Sequence, residues 1–458
     1  MSAERATIAR HAGTVLVGQW AVMAFGLTDT WVAARYDDAA LAALSVGSAA
    51  YITIQVSLMG VVQALLPLWA ELHGAGRPRA LGRSVRQALY VCLLTIALGL
   101  LALLNPDPLL AWTGVPAHLQ AMVRDYLAIL ALSLPAALLF RWFGTINQAL
   151  GRPKLVTWVQ VLALGVKVPL SIVLALGAPQ WGIAPMGLIG CAWASVAVQY
   201  VMLALSLALL RYADLYTPLA LWRRLEAPHW RTQARFLRLG VAGGLTIAVE
   251  VTSFTLVALL VARLGVTATA AHQIMANAAA LLYMVPLSLS IATSARVSYW
   301  LGAQHPARAQ NALREGLGLL VVLALLFGVA IWLFNDALAA FYTPSPAVQA
   351  MAATLLQWLL AYHLVDASQA LFVFVLRCYG VTLLPLLTYT LCLWGLGLGL
   401  GHALAIGYWD GSALGFAVGS PLAYWQASTL ALLITDGIVG ALLWQALRRA
   451  NARPAATN

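Results

Sequence analysis

RYADLYTPLALWRRLEAPHWRTQARFLR, residues 211–238, is the longest polar stretch of this chain, and its reading decides the fold. Arg223, Arg224, Glu226, Arg231 and Arg235 crowd into it, too many charges for a segment inside lipid. Working outward, six apolar runs precede it, near 12–34, 48–70, 84–104, 124–146, 156–176 and 187–210. Six more follow, near 239–261, 274–297, 313–334, 353–376, 384–406 and 424–446. Each run is long enough to cross a hydrocarbon core of about 30 Å as a helix rising 1.5 Å per residue. A membrane β-barrel would instead show alternating segments of about ten residues, and none is visible.

Composition agrees with lipid as the main solvent. Hydrophobic residues make up 62% of the chain and charged residues 9%, with a mean hydropathy of +0.86, a balance that a water-exposed surface of this size could hardly accommodate. The start, Met1 to His11, is short and polar, and the run from Gly13 is long enough to span alone, so it reads as helix 1 and not as a cleaved leader. Cys92, Cys191, Cys378 and Cys392 lie in apolar runs without C-x-x-C spacing and read as buried free thiols.

The net charge of +11 could suggest nucleic acid, but the basic residues fall in alternate loops. Only Arg35, Arg124 and Arg263 lie in the intervening loops, and Lys167 is mid-span. By the positive-inside rule this places both termini and the basic loops in the cytoplasm. The charge is a topology signal, and no nucleic-acid partner is expected.

An internal repeat supports two halves. A shift of 228 residues aligns Gly74 with Gly302, Ala75 with Ala303, Pro78 with Pro306, Arg86 with Arg314 and Leu89 with Leu317, and also Arg35 with Arg263. A shift of 229 aligns Gly151 with Gly380. Because each half has an even number of helices, the copies share one orientation. The expected fold class is therefore an all-α integral membrane protein of about twelve transmembrane helices, in two parallel-repeat six-helix lobes around a central cleft. The expected division is an N-lobe over 1–210 (helices 1–6), a basic cytoplasmic linker over 211–238, a C-lobe over 239–446 (helices 7–12) and a cytoplasmic tail over 447–458.

Charged side chains inside the membrane are costly, about 2.5–3.5 kcal/mol each on insertion scales, so each invites a functional explanation. Asp29, Glu250, Asp366 and Asp436 are the carboxylates within apolar runs. Such a group can bind and release a proton, or hold Na⁺ with help from neighbouring oxygens. Glu250 has Thr246, Thr252 and Ser253 nearby in sequence, and Asp366 has Tyr362 one turn before it and Ser368 beyond. Helix–helix hydrogen bonding is the structural reading of each, with most weight at Asp436. Lys167 has two readings, a charge partner for Asp29 or a side chain snorkelling to water. If Lys167 pairs with Asp29, the first lobe becomes a poor Na⁺ site and the ion binds in the second. His363 lies three residues before Asp366 and could relay protons, while His272 and His402 read as packing residues. The run Gly395–Gly401 holds two overlapping G-x-x-x-G spacings that let helices approach closely.

No G-x-x-x-x-G-K-[ST], G-x-S-x-G or H-E-x-x-H is present, which disfavours ATP-driven transport and hydrolysis, and no cofactor is expected. A membrane-embedded enzyme would need a nucleophile–base or metal constellation, and none is visible.

Five segments together resemble the multidrug and toxic compound extrusion (MATE) family, in its bacterial NorM-like branch. They are LTDTWVAARYDDAALAALSVGS from Leu27, PMGLIGCAWAS from Pro185, GLTIAVEVTSF around Glu250, AHQIMANAAALLYMVPLSLSIATSARVSYWLG from Ala271 and YHLVDASQALFVFVLRCYG from Tyr362. The resemblance covers nearly the whole chain. It implies export of small organic cations, by a monomer embedded in membrane lipid, in exchange for H⁺ or Na⁺. It assigns the first-lobe acidic role to Asp29 and the second-lobe cation site to Glu250, Asp366 and Tyr362, with Na⁺ at Glu250 and Asp366 as one option. Asp436, His363 and Ser171 form a second tier. One departure stands out: where the branch shows a pattern like N-I-P-L-N in helix 5, this chain reads Lys167-Val-Pro-Leu-Ser171, which makes Lys167 a candidate surrogate for the coupling cation. A flippase for lipids or lipid-linked precursors, in the wider superfamily, is the rival transporter. It would be expected to carry a strongly cationic cleft.

Overall fold

The computed structural model describes residues 2–108 and 117–452, which are helical apart from short connections and one isolated bridge between Ala178 and Ile183. In the first half the long helices are α1 (Ala3–Tyr36), α2 (Ala39–Gly74), α3 (Pro78–Leu104), α4 (Ala117–Ala149), α5 (Pro153–Leu176) and α6 (Leu188–Tyr212). In the second they are α7 (Trp230–Val261), α8 (Val266–Gly302), α9 (Pro306–Leu333), α10 (Pro346–Cys378), α11 (Leu383–Ala405) and α12 (Leu422–Ala452). Eleven are long and apolar enough to cross a membrane, and α4, bent by 45° between Leu119–Ala131 and Leu134–Ala149, makes up to twelve. The bend has a local cause, since Pro135 can neither donate a helical hydrogen bond nor accommodate the preceding carbonyl. Residues 447–452 continue α12, and the rest of the expected tail, 453–458, lies outside the described residues.

Helix ends are written in the sequence. Proline opens α3, α5, α9 and α10 at the first turn, where its missing N–H costs nothing. The repeat is visible in the opposite ends. Gly151 (φ 68°) and Gly380 (φ 75°) close α4 and α10 in the left-handed region. At both ends the next N–H reaches back to a carbonyl five residues earlier, Arg152 to Asn147 and Val381 to Leu376. The same closure ends α2 and α8, with Gly76 at φ 65° in one copy and Gln304 at φ 60° in the other. There the bonds run from Arg77 to Leu72 and from His305 to Trp300.

Two compact units divide the chain: Thr14–Gly244, and Leu245–Asn458 together with Met1–Gly13. In the first unit α4 packs against α2, α3 and α6, and α5 lies on α6. The core there gathers Leu44, Tyr51, Ile96, Tyr126, Leu130 and Leu134, with the Tyr51 hydroxyl 2.6 Å from Ser133 Oγ. In the second unit α10 is central, packing on α8, α9 and α12, and α12 also lies along α11. The glycine-rich run falls in α11, whose backbone is π-helical over Leu391–Leu400. The first turns of α1 belong here: Ile8 and Ala12 pack among Leu289, Ala292 and Leu313, and Arg296 grips Glu4 through two bonds of 2.7 and 2.8 Å.

The polar stretch 211–238 is strapped to α3. Arg86 donates to both carboxylate oxygens of Glu226, at 3.1 and 2.5 Å, and to the Ala220 carbonyl at 2.7 Å. Gln87 donates to the Ala227 carbonyl and accepts from Gln233, and Tyr216 donates to Asn147. The hydrogen bond from Arg86, with its charge, holds the Glu226 carboxyl below its ordinary 4.5. A depressed folded-state pKa contributes stability that is present above 4.5 and lost as pH falls through the lower folded value. Arg86→Ala is expected to speed proteolytic cleavage within 213–229 roughly fivefold at neutral pH, equivalent to about 1 kcal/mol because Glu226 is partly solvated. Time-resolved digestion read by mass spectrometry checks this, and an unchanged cleavage rate would show that the backbone contacts alone hold the strap.

Arg377 follows the tenth apolar run, 353–376, directly in sequence. It occupies the last turn of α10, is buried, and lies over the Phe374 ring at 4.7 Å.

Candidate functional site

The carboxylates singled out in the sequence fall into two constellations, one in each unit. The first forms where α1, α5 and α6 meet. Gly190 lies against the backbone of Leu174 and Ala175, where a Cβ would overlap them, so α6 can approach α5 only with glycine there. That approach brings Cys191 and Ser195 of α6 against Lys167 of α5.

Lys167 Nζ donates to Asp29 Oδ1 at 2.7 Å and lies 2.8 Å from Oδ2. It also reaches Ser195 Oγ at 2.7 Å and the Cys191 carbonyl at 3.4 Å. Ser171, one turn along α5, donates to Asp29 Oδ1 at 3.1 Å, and Ser195 Oγ lies 3.3 Å from Oδ2. The lysine side chain is 1% exposed and the aspartate side chain 10%, so the pair is closed off from solvent. Burying both charges costs several kcal/mol per ion, and only close geometry with satisfied remaining donors and acceptors offsets that cost. Of the two positions weighed for Lys167, facing Asp29 or running to the surface, the structure has the first.

The second constellation lies on α7, α8, α10, α11 and α12. Asp366 is 5% exposed on α10, and Glu250 on α7 is partly buried. The Tyr283 hydroxyl of α8 lies 3.5 Å from Glu250 Oε2. The two carboxylates are near enough for each charge to act on the other, as Asp436 acts on Asp366. The phenols of Tyr283, Tyr362 and Tyr389 all lie within reach of both Glu250 and Asp366. Arg377 is within electrostatic reach of Glu250. Among the described residues, however, no lysine or arginine forms an ion pair with Glu250, Asp366 or Asp436.

Aromatic rings wall this site. Phe254, Tyr362 and Trp425 meet edge to face with centroids 5.1 to 6.4 Å apart, and Trp425 donates its indole N–H to His272 at 3.3 Å. Of the second-tier residues, Asp436 accepts a hydrogen bond from Ser368 through one oxygen, while its other oxygen has no partner. The Nε2 of His363 is buried and also unpartnered. Ser171 sits with Asp29, in the first constellation. Thr252, read as a neighbouring oxygen for Glu250, donates its hydroxyl hydrogen to the Ala248 carbonyl of its own helix.

Sequence reasoning missed Ser195 and Trp425. Ser195 was within view as the last residue of PMGLIGCAWAS, four residues after Cys191 and so on the same helix face. Trp425 had no signal beyond being aromatic.

Comparison with known proteins agrees with this architecture. The MatE family model matches twice, over residues 15–173 and 244–402, once in each half. The chain is 38% identical over 441 residues to a probable multidrug resistance protein NorM of Aromatoleum aromaticum, covering 96% of this chain and 94% of that one. It is 30% identical over 442 residues to multidrug resistance protein PmpM of Pseudomonas aeruginosa, covering 96% and 90%. Among solved structures, the fold is similar to the Vibrio cholerae MATE transporter VcmN in the bent form (TM-score 0.80, 18% identity, 98% of each chain). It is also similar to a MOP superfamily transporter of Pyrococcus furiosus, described as having a binding pocket of reverse polarity that suggests a different function (TM-score 0.83, 13% identity, 98% and 97%).

Proposed function

We propose that this chain, which belongs to the MatE family, exports organic cations across the bacterial inner membrane in exchange for H⁺ or Na⁺ entering at Glu250, Asp366 and Tyr362. The observation that carries the reading is the convergence of Glu250 and Asp366 in one unit, unpaired by any basic side chain among the described residues, beneath a wall of aromatic rings. Two carboxylates in a poorly solvated site repel each other, and a proton, Na⁺ or a cationic drug relieves the same repulsion. Ligands that relieve one repulsion compete, and competition for one site couples two fluxes. The ring of Phe254, partly buried and backed by Trp425, offers a negative face to a flat cation.

The driving force is adequate, since each charge moving through 100 mV supplies about 2.3 kcal/mol. Both termini are assigned to the cytoplasm by the distribution of arginines, and the transporting unit is taken to be a monomer in lipid. Because the fold is shared with a protein of reversed pocket polarity, charge decides between substrates, and the acidic site favours cations over anionic lipid precursors.

The test is efflux of a fluorescent planar cation from proteoliposomes under an imposed Na⁺ gradient or an imposed proton gradient. Efflux is expected to accelerate under at least one of them. A rate indifferent to both gradients would overturn the antiporter reading.

A further inference from the structure

We infer that the Asp29 pocket is a monovalent-cation site whose resident occupant is the chain's own Lys167 ammonium, leaving ion exchange to the Glu250–Asp366 constellation alone. The inference rests on the antiporter reading only for what is exchanged; the occupancy itself rests on geometry. Around Nζ stand both oxygens of Asp29, Ser195 Oγ and the Cys191 carbonyl, at 2.7, 2.8, 2.7 and 3.4 Å. That is a set of oxygen donors such as a hard monovalent cation requires. Ser171 satisfies a further lone pair of Asp29. The charge is already neutral, and the acceptors are already engaged.

The occupant has nowhere else to go. Lys167 lies nine residues before the C-terminal end of α5 at Leu176, about 14 Å along the axis at 1.5 Å per residue, further than its stem can snorkel. Withdrawing it would strand two charges in a closed site. The contrast with the other unit is direct: there the charges of Glu250 and Asp436 both act on Asp366, no lysine or arginine is ion-paired to any of the three among the described residues, and Asp436 keeps one oxygen unpartnered. One site is satisfied from within, and the other requires a ligand from outside. A chain built this way binds its coupling ions at one constellation per cycle, with the pocket on α1 fixed in charge.

Dicyclohexylcarbodiimide, which modifies carboxyl groups in apolar surroundings once they take up a proton, separates these cases when the labelled peptides are located by mass spectrometry. In purified wild type, Glu250 and Asp366 are expected to label and Asp29 to remain unlabelled. In Lys167→Asn, labelling of Asp29 is expected to appear and to be lost in excess Na⁺ or Li⁺. Labelling of Asp29 in the wild type, to the extent seen at Glu250, overturns the inference. So does an unlabelled Asp29 in folded Lys167→Asn protein, which would mean that something other than the lysine closes the pocket. If that variant does not fold, the wild-type pattern decides alone. Failure of gradient-driven efflux in the wild type would sink the antiporter reading while leaving the labelling pattern to report on the pocket.

Discussion

Asp366→Asn is expected to slow gradient-driven drug efflux by about 5- to 150-fold, the span that corresponds to a coupling free energy of about 1–3 kcal/mol between two ligands. The amide keeps the shape of the side chain but holds no exchangeable charge, and it removes the repulsion that Glu250 and Asp436 exert at this position. Drug binding need not fall in proportion, because Glu250 and the rings of Phe254, Tyr362 and Trp425 remain. The loss should therefore appear in the dependence on the gradient: with the gradient collapsed, wild type and variant should move drug at similar slow rates. Measured side by side in proteoliposomes, an Asp366→Asn protein that keeps the full gradient response would remove Asp366 from the coupling machinery.

Truncating Lys167 should have the largest effect on stability. Lys167→Ala is expected to destabilise the protein by about 3–5 kcal/mol, the usual consequence of leaving one member of a buried ion pair alone. Asp29→Ala should be comparably damaging, since it strands the ammonium with only Ser195 and the Cys191 carbonyl. Replacing both partners by apolar residues of similar volume, as in Asp29→Leu with Lys167→Met, should recover most of the loss, because no charge then remains to be compensated. Thermal unfolding in detergent of that apolar pair is read beside a complete cycle made of Asp29→Ala, Lys167→Ala and the double variant carrying both alanines. Single losses that simply add in the double variant would mean that the pair, though 2.7 Å apart, contributes no interaction energy of its own.

The helices and both acidic constellations were legible in the sequence for a simple physical reason: lipid tolerates so few charges that Asp29, Lys167, Glu250 and Asp366 stand out against leucine and alanine. Lys167 was legible as an oddity but not as a geometry. Whether it faced Asp29 or the surface depended on how α1 and α5 pack, and the part of Gly190, which lets α6 bring Cys191 and Ser195 onto the same lysine, is invisible without its neighbours. Ser195 and Trp425 escaped notice because hydroxyls and rings are common in membrane helices, and only packing distinguishes the few that converge.

The grip of Arg296 on Glu4 joins residues 292 positions apart. A ribosome adding about 5–20 residues per second needs roughly 15–60 s to cover that distance. During that interval the amino-terminal turns of α1 have been synthesised but their lasting neighbours, Leu289, Ala292, Arg296 and Trp300, have not. The first segment to enter the bilayer is thus among the last to be fixed in place. A nascent chain arrested before residue 289 leaves Glu4, Ile8 and Ala12 without the partners they hold in the finished fold, open to chaperones and proteases until translation resumes.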